Sequence, residues 1–115
     1  EIYIDDENFI DLATAISASG PAYVFLFIEA LIDTAIKLGA TPDIAHKLVT
    51  QTVLGSTILV NSSNKSPSEL REAVTSPGGG TAEALNSFEM SDFRGVITKA
   101  VNSAYEKYKE LGKTT

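Results

Sequence analysis

The stretch from Ala22 to Leu38 constrains this chain more than any other. Tyr23, Val24, Phe25, Leu26, Phe27, Ile28, Leu31 and Ile32 leave almost no polar stripe at helical spacing. A helix that is apolar all round must be covered all round. With 115 residues in the chain, few other helices are available to do it, so a second subunit is the economical cover. The most apolar part, Pro21 to Ile32, carries Glu29 and reads as a buried helix, too short for a bilayer that takes about 20 residues to cross. Gly39 stands where a C′ glycine would close the helix. Glu29 itself is expected to pair with a hydroxyl or lysine across an interface.

The flanking sequence predicts further helices. Glu1 to Ile4 alternates weakly and is expected as a short strand or extended arm. Asp5 to Asn8 supplies capping residues, and Phe9, Ile10, Leu12, Ala13 and Ile16 then mark an apolar helical face. Ser17-Ala18-Ser19-Gly20-Pro21 predicts a break or sharp kink, since Pro21 lacks an amide proton and disfavours helix at the residue before it. A new helix with Pro21 in its first turn follows.

Thr41 and Pro42 start a helix reaching about Val60, whose Ile44, Leu48, Thr52, Gly55 and Leu59 predict an inward face. Ser66-Pro67-Ser68-Glu69 has the pattern of a capping box, opening a short helix to about Val74. Another helix begins around Thr81 and carries Ala84, Leu85 and Phe88. Ser91-Asp92 caps the last, with Phe93, Val96, Ile97, Ala100, Val101, Ala104, Tyr105 and Tyr108 on its buried side and Gly112 at its end. The fold class is all-α, a bundle of five to six helices in one domain.

Composition excludes several function classes. Fifteen acidic residues against nine basic ones give a net charge of -6, which repels phosphate backbones and argues against nucleic-acid binding. Cysteine is absent, removing disulfides, thiolate nucleophiles and cysteine-bound zinc together, and a reducing cytoplasmic setting is compatible with that. His46 and scattered carboxylates form no recognisable metal set. The first residue is Glu1 rather than Met, with no secretory pattern after it, so a fragment of a longer polypeptide is expected.

The segment that can carry chemistry is Thr75-Ser76-Pro77-Gly78-Gly79-Gly80-Thr81. Three successive glycines are costly to order, which points to positive φ or close backbone approach. A glycine loop feeding a helix N-terminus is a seat for an anion, and Ser76 and Thr81 add hydroxyl donors. It is not a P-loop, because no Lys follows the last glycine, and it lacks the strand of a dinucleotide fingerprint. A carboxylate fits better than a triphosphate. The plain alternative is a glycine-rich turn with Thr81 as N-cap, in a stand-alone helical interaction module.

Several blocks of residues resemble the pyrroline-5-carboxylate reductases in order and spacing. They are Ser17-Ala18-Ser19-Gly20-Pro21-Ala22-Tyr23, Phe27-Ile28-Glu29-Ala30-Leu31, Gln51-Thr52-Val53-Leu54-Gly55, and Leu70 through Thr81 followed by Ala84-Leu85, with Phe93-Arg94 ahead of the last helix. The resemblance implies a C-terminal helical dimerisation domain over residues 1–115 that interleaves with its twin as a homodimer. It further implies assembly up to a decamer in the full-length enzyme, whose N-terminal Rossmann domain is absent from this chain. The implied reaction is reduction of 1-pyrroline-5-carboxylate to L-proline with NADPH or NADH. By position, Ser76 and the Gly79-Gly80-Thr81 backbone would hold the substrate carboxylate. The Thr81 hydroxyl would sit near the ring nitrogen or the carboxylate, Val74 would line the pocket, and Ser19, Gly20 and Pro21 would approach the nicotinamide. Ala18 departs from the glycine common there, and the fragment alone is expected to be inactive.

Overall fold

A computed structural model describes residues 5–113, and the arm expected over Glu1–Ile4 lies outside them. Helices α1 (Asp6–Ala13), α2 (Gly20–Lys37), α3 (Pro42–Ser62), α4 (Pro67–Ala73), α5 (Gly80–Met90) and α6 (Phe93–Gly112) follow one another, with a π-helical segment, Thr14–Ala18, between α1 and α2. No strand occurs among the described residues, so the all-α expectation holds.

The helix ends are built by the residues expected to build them. Gly39 has φ +116° and donates its amide to the Ile36 carbonyl, while Ala40 donates to Ala35, both at 3.0 Å. This pair of bonds is a Schellman stop, which needs a residue without Cβ at C′. Thr41 caps α3 through Ile44 N–H at 3.4 Å. Ser66 and Glu69 close the capping box reciprocally, at 3.1 Å to the Glu69 amide and 2.9 Å from the Ser66 amide. Hydrogen bonds to the carboxylate from the Ser66 amide, chiefly, and from the Ser66 hydroxyl hold the Glu69 carboxyl below the ordinary glutamate range. Asp92 caps α6 from a left-handed conformation, φ 55°, and accepts from the Gly95 amide at 3.3 Å. A Cβ at Gly95 would collide with that carboxylate, so the cap and the glycine require each other.

The chain divides into two compact units. One comprises the described residues up to Val24 together with those from Phe88 onward, and the other is Phe25–Ser87. In the first, α1, the π segment and α6 pack on one another around the wholly buried Ala15. Phe88 and Phe93 meet edge to face at 5.1 Å, and Arg94 grips Glu89 at 3.0 and 3.2 Å, which sets the turn into α6. Of the residues expected on the buried side of α6, Val101, Ala104, Tyr105 and Tyr108 are half-buried, whereas Phe93, Val96, Ile97 and Ala100 are exposed.

In the second unit only Ala45 and Val49 are buried. The inward face expected on α3 is corrected accordingly. Ile44, Leu48 and Leu59 are 54%, 59% and 50% exposed, while the covered seam runs through Ala45 and Val49, one position along. Periodicity locates an apolar stripe but does not say whether its cover comes from the same chain. Phe25, Leu26 and Phe27 on α2 are also open.

Helical structure continues from Asp6 to Lys37, and its most apolar window reaches a mean hydropathy of 1.6. That corrects the expectation of a run too short to span a bilayer: by length and composition this one is sufficient. Acids at Asp11, Glu29 and Asp33 recur along it, which a lipid interior disfavours.

Candidate functional site

The loop between α4 and α5 is assembled from local bonds. Val74 ends α4, and the Thr75 hydroxyl turns back onto the Arg71 carbonyl at 2.6 Å. Gly79 N–H then donates to the Ser76 carbonyl at 3.0 Å, closing a four-residue turn with Pro77 second and Gly78 third, at φ +74°. Proline followed by a residue of positive φ is the signature of a type II turn. A Cβ on Gly79 would lie 3.2 Å from the Ser76 carbonyl oxygen, so the turn tolerates little there. Gly80 has nothing within 4 Å of its Cβ position. Each of the last two glycines thus has its own reason: one is needed for closeness, the other leaves an open approach.

Gly79 accepts the first helical bond of α5, from Glu83 at 3.1 Å, and is therefore the N-cap residue. Thr81 lies inside the first turn rather than capping it. Because Gly79 has no side chain to cap with, the amides of Gly80, Thr81 and Ala82 make no hydrogen bond among the described residues. The Ser76 and Thr81 hydroxyls likewise make none, and both residues are exposed. The Gly79 amide donates to its own turn, whereas the Gly80 and Thr81 amides, with that of Ala82, are unpaired. Three unpaired amides at the positive end of a helix dipole are chemically suited to a small anion.

The second predicted group lies in the other unit. Ser19 N–H reaches back five residues to the Thr14 carbonyl at 3.0 Å, the bond that defines the π turn. A proline inside a regular helix drives its ring into the carbonyl four residues earlier, and a widened turn before Pro21 relieves that clash. The expected break is thus a π turn and a bend at Ser19, with Pro21 as the second residue of α2. Hydroxyls tie the segment down. Tyr23 donates to the buried Ala15 carbonyl at 2.8 Å, Ser17 to Ala13 at 2.7 Å, and Ser19 shares a 2.5 Å hydrogen bond with Tyr108 of α6. The sequence marks Tyr108 only as a core or rim residue. Nothing local links it to Ser19, 89 positions away.

Val74, Ser76, Gly80 and Thr81 therefore form one group within Phe25–Ser87, and Ser19, Gly20 and Pro21 another within the first unit. Among the described residues no group of three or more His, Cys, Asp or Glu is placed to hold a metal.

The family profile described as pyrroline-5-carboxylate reductase dimerisation matches residues 7–111. The chain belongs to that family. Pyrroline-5-carboxylate reductases from Pseudomonas aeruginosa and Synechocystis are 43% and 45% identical to it, over 96% and 93% of this chain. It spans only 40% of each, so it corresponds to their C-terminal dimerisation domain. Among solved structures, the Plasmodium falciparum pyrroline carboxylate reductase with NADP bound superposes at a TM-score of 0.90 and 43% identity, covering 95% of this chain and 41% of that one. The Coxiella burnetii reductase gives 0.90 at 41%, covering 96% and 41%. The matched family is a dimerisation domain, and α2 and α3 each carry exposed large apolar residues.

Proposed function

We propose that this chain is the substrate-seating and dimer-forming part of a reductase that converts 1-pyrroline-5-carboxylate to L-proline. The observation that carries the reading is the bare N-terminus of α5. Its Gly80, Thr81 and Ala82 amides make no backbone hydrogen bond, the exposed Ser76 and Thr81 flank them in sequence, and the position over Gly80 is open, which suits a small carboxylate. Val74, exposed at the end of α4, offers the apolar wall a pyrroline ring needs. In this reading the Thr81 hydroxyl fixes the ring over its carboxylate and stays within reach of the imine nitrogen.

A nicotinamide cofactor, NADPH or NADH, supplies the hydride for the C=N bond. The described residues offer no strand and no dinucleotide fingerprint to hold it, so its binding belongs mainly to a separate nucleotide domain. Ser19, Gly20 and Pro21 fit a lesser role at its nicotinamide end, where Gly20 leaves open space at the bend. The chain needs no nucleophile of its own. The apolar helical run is covered by a second copy rather than by lipid, dimers can build a decamer, and a cysteine-free chain suits the cytoplasm.

In the full-length reductase, Thr81→Ala is expected to lower turnover by on the order of 1–3 kcal/mol of lost donor interaction. Gly80→Ala keeps a good helix start but fills the approach, so it raises KM for the pyrroline without unfolding the protein. Unchanged kinetics for both variants would leave the loop as a plain turn in a non-catalytic dimerisation module.

A further inference from the structure

Every hydroxyl around the π segment except one bonds a backbone carbonyl on its own stretch of helix. Thr14, Ser17 and Tyr23 reach the carbonyls of Ile10, Ala13 and Ala15. Ser19 is the exception. Its partner is another hydroxyl, delivered from the far end of the chain by α6, and both residues are half-buried.

We propose that Tyr108 is a positioning residue for the cofactor contact, holding the Ser19 hydroxyl at the π bend in the orientation that lets it donate to an acceptor on the nicotinamide end. The proposal rests on the reductase reading above, and specifically on Ser19 facing the cofactor.

Three features support it. At 2.5 Å the pair is at the short end for O–H···O bonds, so the Ser19 oxygen is held in a narrow range of positions. A phenol, with a pKa of about 10, is more acidic than an aliphatic alcohol and is the better donor of the two. With Tyr108 donating, the Ser19 oxygen is occupied as an acceptor and its own proton is free for a ligand. Finally, Ser19 sits where the backbone ladder is interrupted between Thr14–Ala18 and Gly20, so its rotamer has less support from a regular helical turn than one inside α2 has. π turns of this kind are frequent at functional sites.

The test is a double-mutant cycle in the full-length reductase, read as KM for the nicotinamide cofactor. Tyr108→Phe keeps the ring and removes only the hydroxyl. It is expected to raise that KM roughly three- to tenfold, the loss of one hydrogen bond, with a much smaller change in KM for the pyrroline. In a Ser19→Ala background the same substitution should have no further effect, because Tyr108 acts through Ser19. Tyr105→Phe, one turn away, should leave the cofactor KM unchanged.

An unchanged KM in Tyr108→Phe, or an effect of the same size with and without Ser19, would overturn the proposal. Absence of reductase activity in the wild-type protein would be a different failure, that of the functional reading. Amide hydrogen exchange at Ser19 separates the two, since Tyr108→Phe should speed it in the folded dimer whatever the enzyme does. Unaltered exchange there would refute the positioning role directly.

Discussion

Helices α1 and α6 and the π segment find their packing partners within one chain, whereas the helical stretch Phe25–Ser87 does not. In the first unit Ala15 is fully enclosed and two tyrosine hydroxyls are tied to the π bend and its neighbouring carbonyl. In the second no two helices make more than marginal contact, although α3 and α4 are well capped at their N-termini. Good local structure and a shared core are thus separate achievements. Capping and turn chemistry shape the second unit, but helices of this kind draw most of their stability from tertiary burial, which in the proposed reading a second copy supplies.

The largest expected effect breaks that comparison directly. Leu48→Asp places a charge on the open face of α3, and its burial in a dimer should cost on the order of 4 kcal/mol. Sedimentation equilibrium should then show unfolded monomer. A folded Leu48→Asp monomer at high micromolar concentration would mean the second unit has a core of its own.

Gly39→Ala tests the local half of the argument. At φ +116° a Cβ should cost about 1–2 kcal/mol, seen as a lower Tm at fixed protein concentration with the dimer intact. Tyr23→Phe probes the self-packed unit, where loss of the hydrogen bond to the Ala15 carbonyl should cost about 1 kcal/mol. Exchange protection is expected to fall around the π segment more than in α3. Equal loss in both would show that the units are not distinct in stability.

The smallest effect is one of pH. Because hydrogen bonds from Ser66 depress the Glu69 carboxyl, the folded protein binds that proton less readily than the unfolded chain. The resulting stability is present above the ordinary glutamate range and is lost as pH falls through the lowered value. Ser66→Ala should lower Tm by a few degrees at neutral pH, with the difference from wild type shrinking in acid.

Features governed by neighbouring residues were readable before any coordinates. The Gly39 stop, the Ser66–Glu69 box, the Asp92 cap and the bend before Pro21 all depend on residues within a turn of each other. Three things were not readable. The shift of the buried α3 seam from Ile44 and Leu48 to Ala45 and Val49 depends on which apolar neighbour is in the same chain. The Ser19–Tyr108 pair spans nearly the whole sequence. The assignment of Gly79 as N-cap, which moves Thr81 inward and spends the Gly79 amide, follows from how tightly the Pro77-Gly78 turn closes, and three adjacent glycines give no side-chain cue to that.

The bare core of Phe25–Ser87 also has a kinetic consequence. Two chains that complete each other's interior cannot trade partners faster than they unfold, so subunit exchange should run at the unfolding rate. A tagged and an untagged population mixed after folding would stay unmixed for as long as the native state lasts, and would form hybrids only when refolded together. Partner choice is then settled once, at birth, between chains that fold at the same time and place.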